Sequence, residues 1–164
     1  MLIGYSGLIF IIDIKTNTVF KLNTGLRCIK SVCNIDDNSI VIATFFGLYF
    51  CNFNIIHNNI NIISLENIYD INSIDDVYYF KNKIIFKDTF NINMIDLKTR
   101  ECIHINKNKF YYNSIFLYNE HLYALDNDTF LVNIVNIYTQ DIRTIKLKNN
   151  STNYLVFPPI FIDN

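Results

Sequence analysis

The 164-residue sequence has no tryptophan, four glycines and two prolines. So few glycines leave little backbone freedom for a phosphate-binding loop, and a Gly-x-Ser-x-Gly nucleophile elbow is missing. The cysteines have neither the paired spacing of a zinc site nor the density of a disulfide scaffold. We therefore predict no enzyme activity, no metal and no cofactor, and we interpret the cysteines as buried thiols. They are Cys28, Cys33, Cys51 and Cys102.

The sequence also lacks an excess of charge of either sign. Its 14 Lys and Arg residues against 15 Asp and Glu residues give a formal net charge of -1, whereas nucleic-acid binders usually have a basic excess. The apolar run over residues 40–56 is interrupted by Thr44, Gly47 and Asn52, and it predicts two strands rather than a membrane helix. The first residues do not match a secretory signal, so we expect a cytoplasmic or nuclear protein that does not insert into membranes.

What the sequence contains is a succession of predicted β-strands, because Ile, Val, Phe, Tyr and Thr fill its apolar runs without a helical period. The segment 7–22 predicts a hairpin whose turn reads DIKTNT, and similar hairpins are predicted over residues 47–65, 89–105 and 129–147. An Asp or Asn side chain can start such a turn by accepting a backbone N–H two residues later. The aligned first turn residues recur about every 41 residues; they are Asp13, Asn54, Asp96 and Asn136.

A further strand pair is predicted before each of the last three hairpins, with short polar turns at residues 36–38, 81–82 and 119–120. Each repeat then holds four antiparallel strands in about 40 residues, the length typical of a propeller blade. On this period and strand count the chain resembles the β-propeller superfamily. The Trp-Asp mark of tryptophan–aspartate repeats and the double glycine of kelch repeats are missing, so the subfamily is unassigned.

The resemblance implies an all-β fold: one domain over residues 1–164, a small propeller of four antiparallel four-stranded blades. The first repeat starts at the second strand of the others, so a C-terminal strand near residues 154–157 is expected to complete the N-terminal blade. The alternatives are a half-ring completed by a second chain, which would make a homodimer, and a β-sandwich. The predicted repeats are residues 1–23 with 152–164, 24–66, 67–106 and 107–148.

In such blades the strand connections alternate between two ends. One end carries Asp36 and Asp37. We interpret this pair, and the pair Asp75 and Asp76, as turn residues rather than as catalytic carboxylates. The other end carries the candidate partner-binding residues, which combine aromatic area with positive charge as binding hot spots do. Phe45, Phe46 and Tyr112 are interpreted as filling the blade interfaces and the central channel. The candidate partner-binding residues are Tyr69, Lys107, Lys109 and Tyr111.

Two functions follow from these observations. The first is a non-enzymatic protein–protein interaction module that docks on a larger protein or assembly through its loop-rich end. The alternative is a small-ligand-binding or hydrolytic propeller with its site at the channel mouth. Lectin-like sugar binding would need the same polar and aromatic pair in every blade, and the turns starting YSG, TFFG, KDTF and NDTF do not share one.

Overall fold

The computed structural model describes residues 2–3, 7–57, 59–89, 91–105, 114–126 and 129–147. Regular secondary structure within these residues consists of β-strands, arranged as four antiparallel sheets. The chain divides into two compact units, residues 1–104 and residues 105–164. Sheets one, two and three belong to the first unit, and sheet four belongs to the second.

The strands follow one another along the chain. Sheet one contains β1 (Leu2–Ile3), β2 (Leu8–Asp13) and β3 (Thr18–Asn23). Sheet two contains β4 (Ile29–Asp36), β5 (Ser39–Thr44), β6 (Leu48–Ile56) and β7 (Asn59–Tyr69). Sheet three contains β8 (Asp76–Phe80), β9 (Lys83–Lys87), β10 (Ile92–Asp96) and β11 (Cys102–His104). Sheet four contains β12 (Ser114–Tyr118), β13 (His121–Asp126), β14 (Leu131–Asn136) and β15 (Ile142–Lys146).

Every strand pairs with its neighbour in sequence, so each sheet is a simple antiparallel meander. This confirms the predicted succession of four all-β repeats and argues against the sandwich, in which strands commonly cross between two sheets. Sheet one has three strands, and β1 occupies the position that the second strand has in the other sheets. Among the described residues, sheet one therefore shows the second, third and fourth strands of a blade, as predicted. The strand expected near residues 154–157 lies outside the described residues.

Sheet two packs on both of its neighbours in the first unit. All six residues of β5 are buried, because successive side chains point to opposite faces and both faces are covered. Ile40 and Ile42 belong to an apolar cluster shared with Ile9 of sheet one. Val41 and Ala43 belong to a cluster shared with sheet three. Face-to-face stacking of successive sheets is the blade arrangement that the repeat predicts.

The turn predicted at DIKT and DLKT has the same hydrogen bonds in three sheets. The Oδ1 atom of its first residue accepts backbone N–H groups two and three residues later, which are the turn-nucleating bonds expected of Asp and Asn. The residue four positions later has a positive φ of 54 to 62°. The three turns begin at Asp13, at Asp96 and at Asn136. The repeat is therefore a real structural unit.

The equivalent turn predicted at Asn54 is wrong. Asn54 lies inside β6, which runs to Ile56, and the chain reverses at His57, whose φ is 50°. The apolar pattern continues on both sides of His57, so the strands extend beyond the length of the other hairpins before they turn. The Oδ1 atom of Asn54 is buried without a hydrogen-bond partner among the described residues.

The first prediction concerns acid stability through these turns. The pKa of Asp13 is lowered below 3.8 mainly by the hydroxyl of Thr16. The pKa of Asp96 is lowered below 3.8 mainly by the backbone N–H of Lys98. A carboxyl whose pKa is lower in the folded than in the unfolded chain stabilises the fold above its unfolded pKa, and this contribution is lost as the pH falls through its folded pKa.

The double variant Asp13→Asn with Asp96→Asn keeps the acceptor, as Asn136 does naturally, but cannot titrate. We expect it to be less stable than the wild type near pH 7 and to differ less as the pH falls toward about 3. Denaturant unfolding at a series of pH values measures this difference. A difference that stays constant across that range would show that the two carboxylates do not stabilise the turns through their charge.

Candidate functional site

The strand connections of the first unit fall at two ends. The turns at Asp13, His57 and Asp96 lie at one end of their strands, and the connections at the other end form a group that we call the loop end. Hydrogen bonds join these connections: the N–H of Phe45 donates to the carbonyl of Cys28 at 3.1 Å. The N–H of Ser73 donates to the carbonyl of Phe45 at 2.7 Å. The loop end consists of residues 24–28, 44–47, 70–75 and the β9–β10 turn.

The β5–β6 turn at the loop end is held by a buried threonine. Thr44 is 1% exposed, and its Oγ1 donates to the carbonyl of Gly47 at 3.0 Å. The same Oγ1 accepts the N–H groups of Phe46 and Gly47 at 3.0 and 3.1 Å. A Cβ atom at Gly47 would lie 2.7 Å from the carbonyl oxygen of Tyr69, so this close approach requires glycine. The turn therefore has one defined conformation.

This rigid turn presents an aromatic pair to solvent. Phe45 is 42% exposed and Phe46 is 54% exposed, and their ring centroids lie 5.3 Å apart at 82° in an edge-to-face arrangement. Exposure of this size contradicts the interpretation that the two residues fill blade interfaces. The interpretation that they line a central channel stays a prediction.

Tyr69, the one candidate partner-binding residue among the described residues, lies at the end of β7. It is half-buried, and its ring centroid is 5.3 Å from that of Phe86, which is fully buried between sheets two and three. Burial, together with a hydrogen bond to Cys102, raises the pKa of Tyr69 to about 12. Tyr69 thus connects the core to the loop end. Lys107, Lys109 and Tyr111, with Tyr112, lie outside the described residues.

A buried polar cluster lies beneath the β9–β10 turn. The carboxylate of Asp88, which is 4% exposed, accepts the backbone N–H of Asn91 at 2.7 Å and the side-chain amide of Asn93 at 2.8 Å. The Oδ1 atom of Asn93 bonds in turn to Nδ1 of His104. His104 follows Cys102 by two residues on β11. The carboxylate of Asp88 thus accepts hydrogen bonds from within the chain, and the bond from Asn91 stabilises the β9–β10 turn.

The charges at the loop end are unequally compensated. Asp75 forms a salt bridge at 3.1 Å with Lys87, whose side chain is 8% exposed. Asp70 accepts a hydrogen bond from the side chain of Asn67. Arg27 and Lys30 are exposed, and neither forms an ion pair with any residue in the described part of the chain. Of the exposed charges here that form no ion pair among the described residues, two are therefore positive, Arg27 and Lys30, and one is negative, Asp70.

Three of the four free thiols are at least half-buried. Burial raises the pKa of Cys33 to about 12 and that of Cys51 to about 11, and it also raises the pKa of Cys102. Cys28 is exposed, which corrects the expectation that all four are buried: it lies in the connection before β4 with a φ of 54°. Within the ranges that the structure describes, no three metal-ligating side chains come together.

The second unit has an open pocket on one face of sheet four, with a volume of about 470 Å³. Its lining combines the aromatic ring of Tyr123 with the polar side chains of His121, Asn136, Asp141 and Arg143. These residues come from β13, β14 and the turn and strand that follow β14. The pocket is therefore on a face of sheet four.

Among the described residues, no helix is long and apolar enough to cross a membrane.

No family model matches the sequence, and no curated protein matches it. Solved structures are similar in fold. A nidogen/laminin complex aligns with TM-score 0.60 and 10% identity, covering 87% of this chain and 56% of that chain. A structure of S. cerevisiae Dbp5 bound to Nup159, Gle1, IP6 and ADP aligns with TM-score 0.57 and 13% identity, covering 78% of this chain and 32% of that chain. The designed protein Ika8 aligns with TM-score 0.56 and 8% identity, covering 77% of this chain and 42% of that chain.

The chain thus spans between about a third and just over half of the length of these similar chains. At identities this low the likeness shows the fold alone. Together with the stacked four-stranded meanders, it shows a β-propeller type of fold, which the sequence period predicted.

Proposed function

We propose that the chain is a non-enzymatic interaction module that docks on a partner protein through its loop end. The observation that carries the proposal is the solvent-exposed pair Phe45 and Phe46 on a turn fixed by Thr44. Exposed aromatic side chains on a rigid support lose little conformational entropy on binding, and aromatic residues are enriched among interface hot spots. A fold does not require two exposed phenylalanines, so a binding role accounts for them.

Two further observations support an interaction role. Two of the similar natural structures are protein complexes, nidogen with laminin and Dbp5 with Nup159 and Gle1. The buried thiols have pKa values far above neutrality, which makes them poor nucleophiles. Lys107, Lys109 and Tyr111 lie outside the described residues, and their partner-binding role stays a proposal that rests on the sequence alone. Tyr69 contributes by holding the end of β7 beside Gly47.

The double variant Phe45→Ala with Phe46→Ala tests this function. Against the protein that co-purifies with the chain at fixed stoichiometry, we expect the variant to lose at least about 2 kcal/mol of binding free energy, because both side chains are candidate anchors. Calorimetric titration measures the loss, and thermal melting measures whether the fold is preserved. The matched control is Ile14→Ala with Val19→Ala, which removes apolar area that is 85% and 58% exposed at the other end of β2 and β3. Normal binding by the phenylalanine variant, or equal loss in the control, contradicts the proposal.

A further inference from the structure

We infer that the partner presents an acidic peptide segment to the loop end, with an apolar side chain that contacts Phe45 and Phe46 and carboxylates that contact Arg27 and Lys30. The inference rests on the proposed function and adds the chemistry of the partner. It concerns residues of the first unit only.

The two cations lie beside the aromatic turn. In sheet two, Ile29 pairs with Thr44, and the carbonyl of Cys28 accepts the N–H of Phe45. The segment from Arg27 to Lys30 therefore runs alongside the turn. Residues paired on neighbouring strands lie about 5 Å apart at Cβ, within the reach of long side chains. A peptide several residues long that contacts the phenylalanine rings can therefore also extend along the segment that carries both positive charges.

The carboxylates of the loop end are already engaged within the chain. Asp75 pairs with Lys87, Asp70 accepts the amide of Asn67, and Asp88 is buried with its bonds to Asn91 and Asn93. Asp70 is exposed and its partner Asn67 is neutral, so among the exposed charges that form no ion pair Arg27 and Lys30 outnumber it by two to one. Complementary charge at the rim of an aromatic anchor favours an acidic partner and speeds its association.

A peptide fits this surface better than a single-stranded nucleic acid. Nucleic-acid channels stack successive bases on aromatic faces along a continuous positive groove. Here the two rings meet at 82°, so they form no parallel series of faces, and the whole chain has a net charge of -1. A peptide can place an apolar side chain against this edge-to-face pair. Acidic residues before or after that side chain can then form ion pairs with the two cations.

The experiment starts from a phage-displayed library of random peptides, selected on the wild-type chain and, separately, on the phenylalanine double variant. We expect peptides recovered only on the wild type to be enriched in Asp and Glu around an aromatic or aliphatic residue. The best of these peptides is then titrated against the wild type, against Arg27→Glu with Lys30→Glu, and against the control Lys15→Glu with Lys98→Glu. The control makes the same charge change on the Asx turns at the opposite end of the strands.

We expect the Arg27 and Lys30 variant to bind about tenfold or more weakly, and the control to bind within about twofold of the wild type. Binding to the wild type should also weaken as salt is raised, because the charges are exposed. Thermal melting of every variant confirms that it folds.

The possible failures are distinguishable. If selected peptides depend on Phe45 and Phe46 but not on Arg27 and Lys30, the inference is overturned and the proposed function stands. If no peptide depends on the phenylalanines, both are overturned. An oligothymidylate strand is titrated as a separate arm, and binding tighter than that of the best peptide would overturn the acidic-peptide inference in favour of nucleic acid.

Discussion

Replacing Phe86 with alanine is expected to lower the free energy of unfolding by about 3–5 kcal/mol, the range for removing a buried aromatic side chain. Phe86 lies on β9 with no exposed surface, in the apolar cluster that joins sheets two and three. Its ring also contacts the ring of Tyr69 at 5.3 Å between centroids. The variant loses the transfer free energy of the ring and leaves a cavity between two sheets that cannot fully close.

The matched control for this prediction is Phe46→Ala, the same substitution at a side chain that is 54% exposed. It should change stability by no more than about 0.5 kcal/mol. Urea unfolding of both variants, followed by circular dichroism, measures the comparison. Equal losses in the two variants would mean that sheets two and three are not joined through Phe86.

The second large effect is expected at Asp88. Its carboxylate accepts hydrogen bonds from Asn91 and from Asn93, and Asn93 has no exposed surface. Asp88→Ala therefore leaves the amide of Asn93 buried without this acceptor and removes the bond that closes the β9–β10 turn. We expect a loss of about 2–4 kcal/mol, since a buried unsatisfied polar group costs about 1–3 kcal/mol and the turn bond adds to it.

A double-mutant cycle tests the cause of this loss. Adding Asn93→Leu to Asp88→Ala removes the unsatisfied amide, so the double variant should be more stable than the sum of the two single effects predicts. His104, the other partner of Asn93, is exposed and can bond to water instead. Additive effects of the two substitutions would show that the buried bond between these residues does not explain the loss.

The sequence predicted the parts of the fold that rest on local chemistry. The motifs starting at Asp13, Asp96 and Asn136 identified three turns, because an Asx side chain bonds to its own backbone whatever surrounds it. The two-residue turn at Lys81 and Asn82 was also correct, and both residues have the positive φ that such a turn needs. The period between the turns then predicted the number of sheets.

What the sequence did not predict has two causes, one local and one tertiary. Asn54 was assigned to a turn by its spacing, but the strand continues because Ile55 and Ile56 extend the β pattern and a nearby His57 can adopt a left-handed φ. Tyr69 was selected as a partner-binding residue, and that role stays a prediction; the packing of its ring on Phe86, a contact between residues in different sheets, was not foreseen. Such contacts are decided by how sheets two and three stack. Composition and spacing do not contain that information.

The central claim is that the loop end of the first unit is the docking surface. Hydrogen–deuterium exchange of the chain, alone and with the selected acidic peptide bound, tests it most directly, because exchange slows where a ligand covers or orders backbone amides. The account predicts added protection in residues 25–30, 44–47 and 70–75, and unchanged exchange at the Asx turns that begin at Asp13 and Asp96. Protection confined to those turns, or to the pocket face of sheet four, would contradict the account.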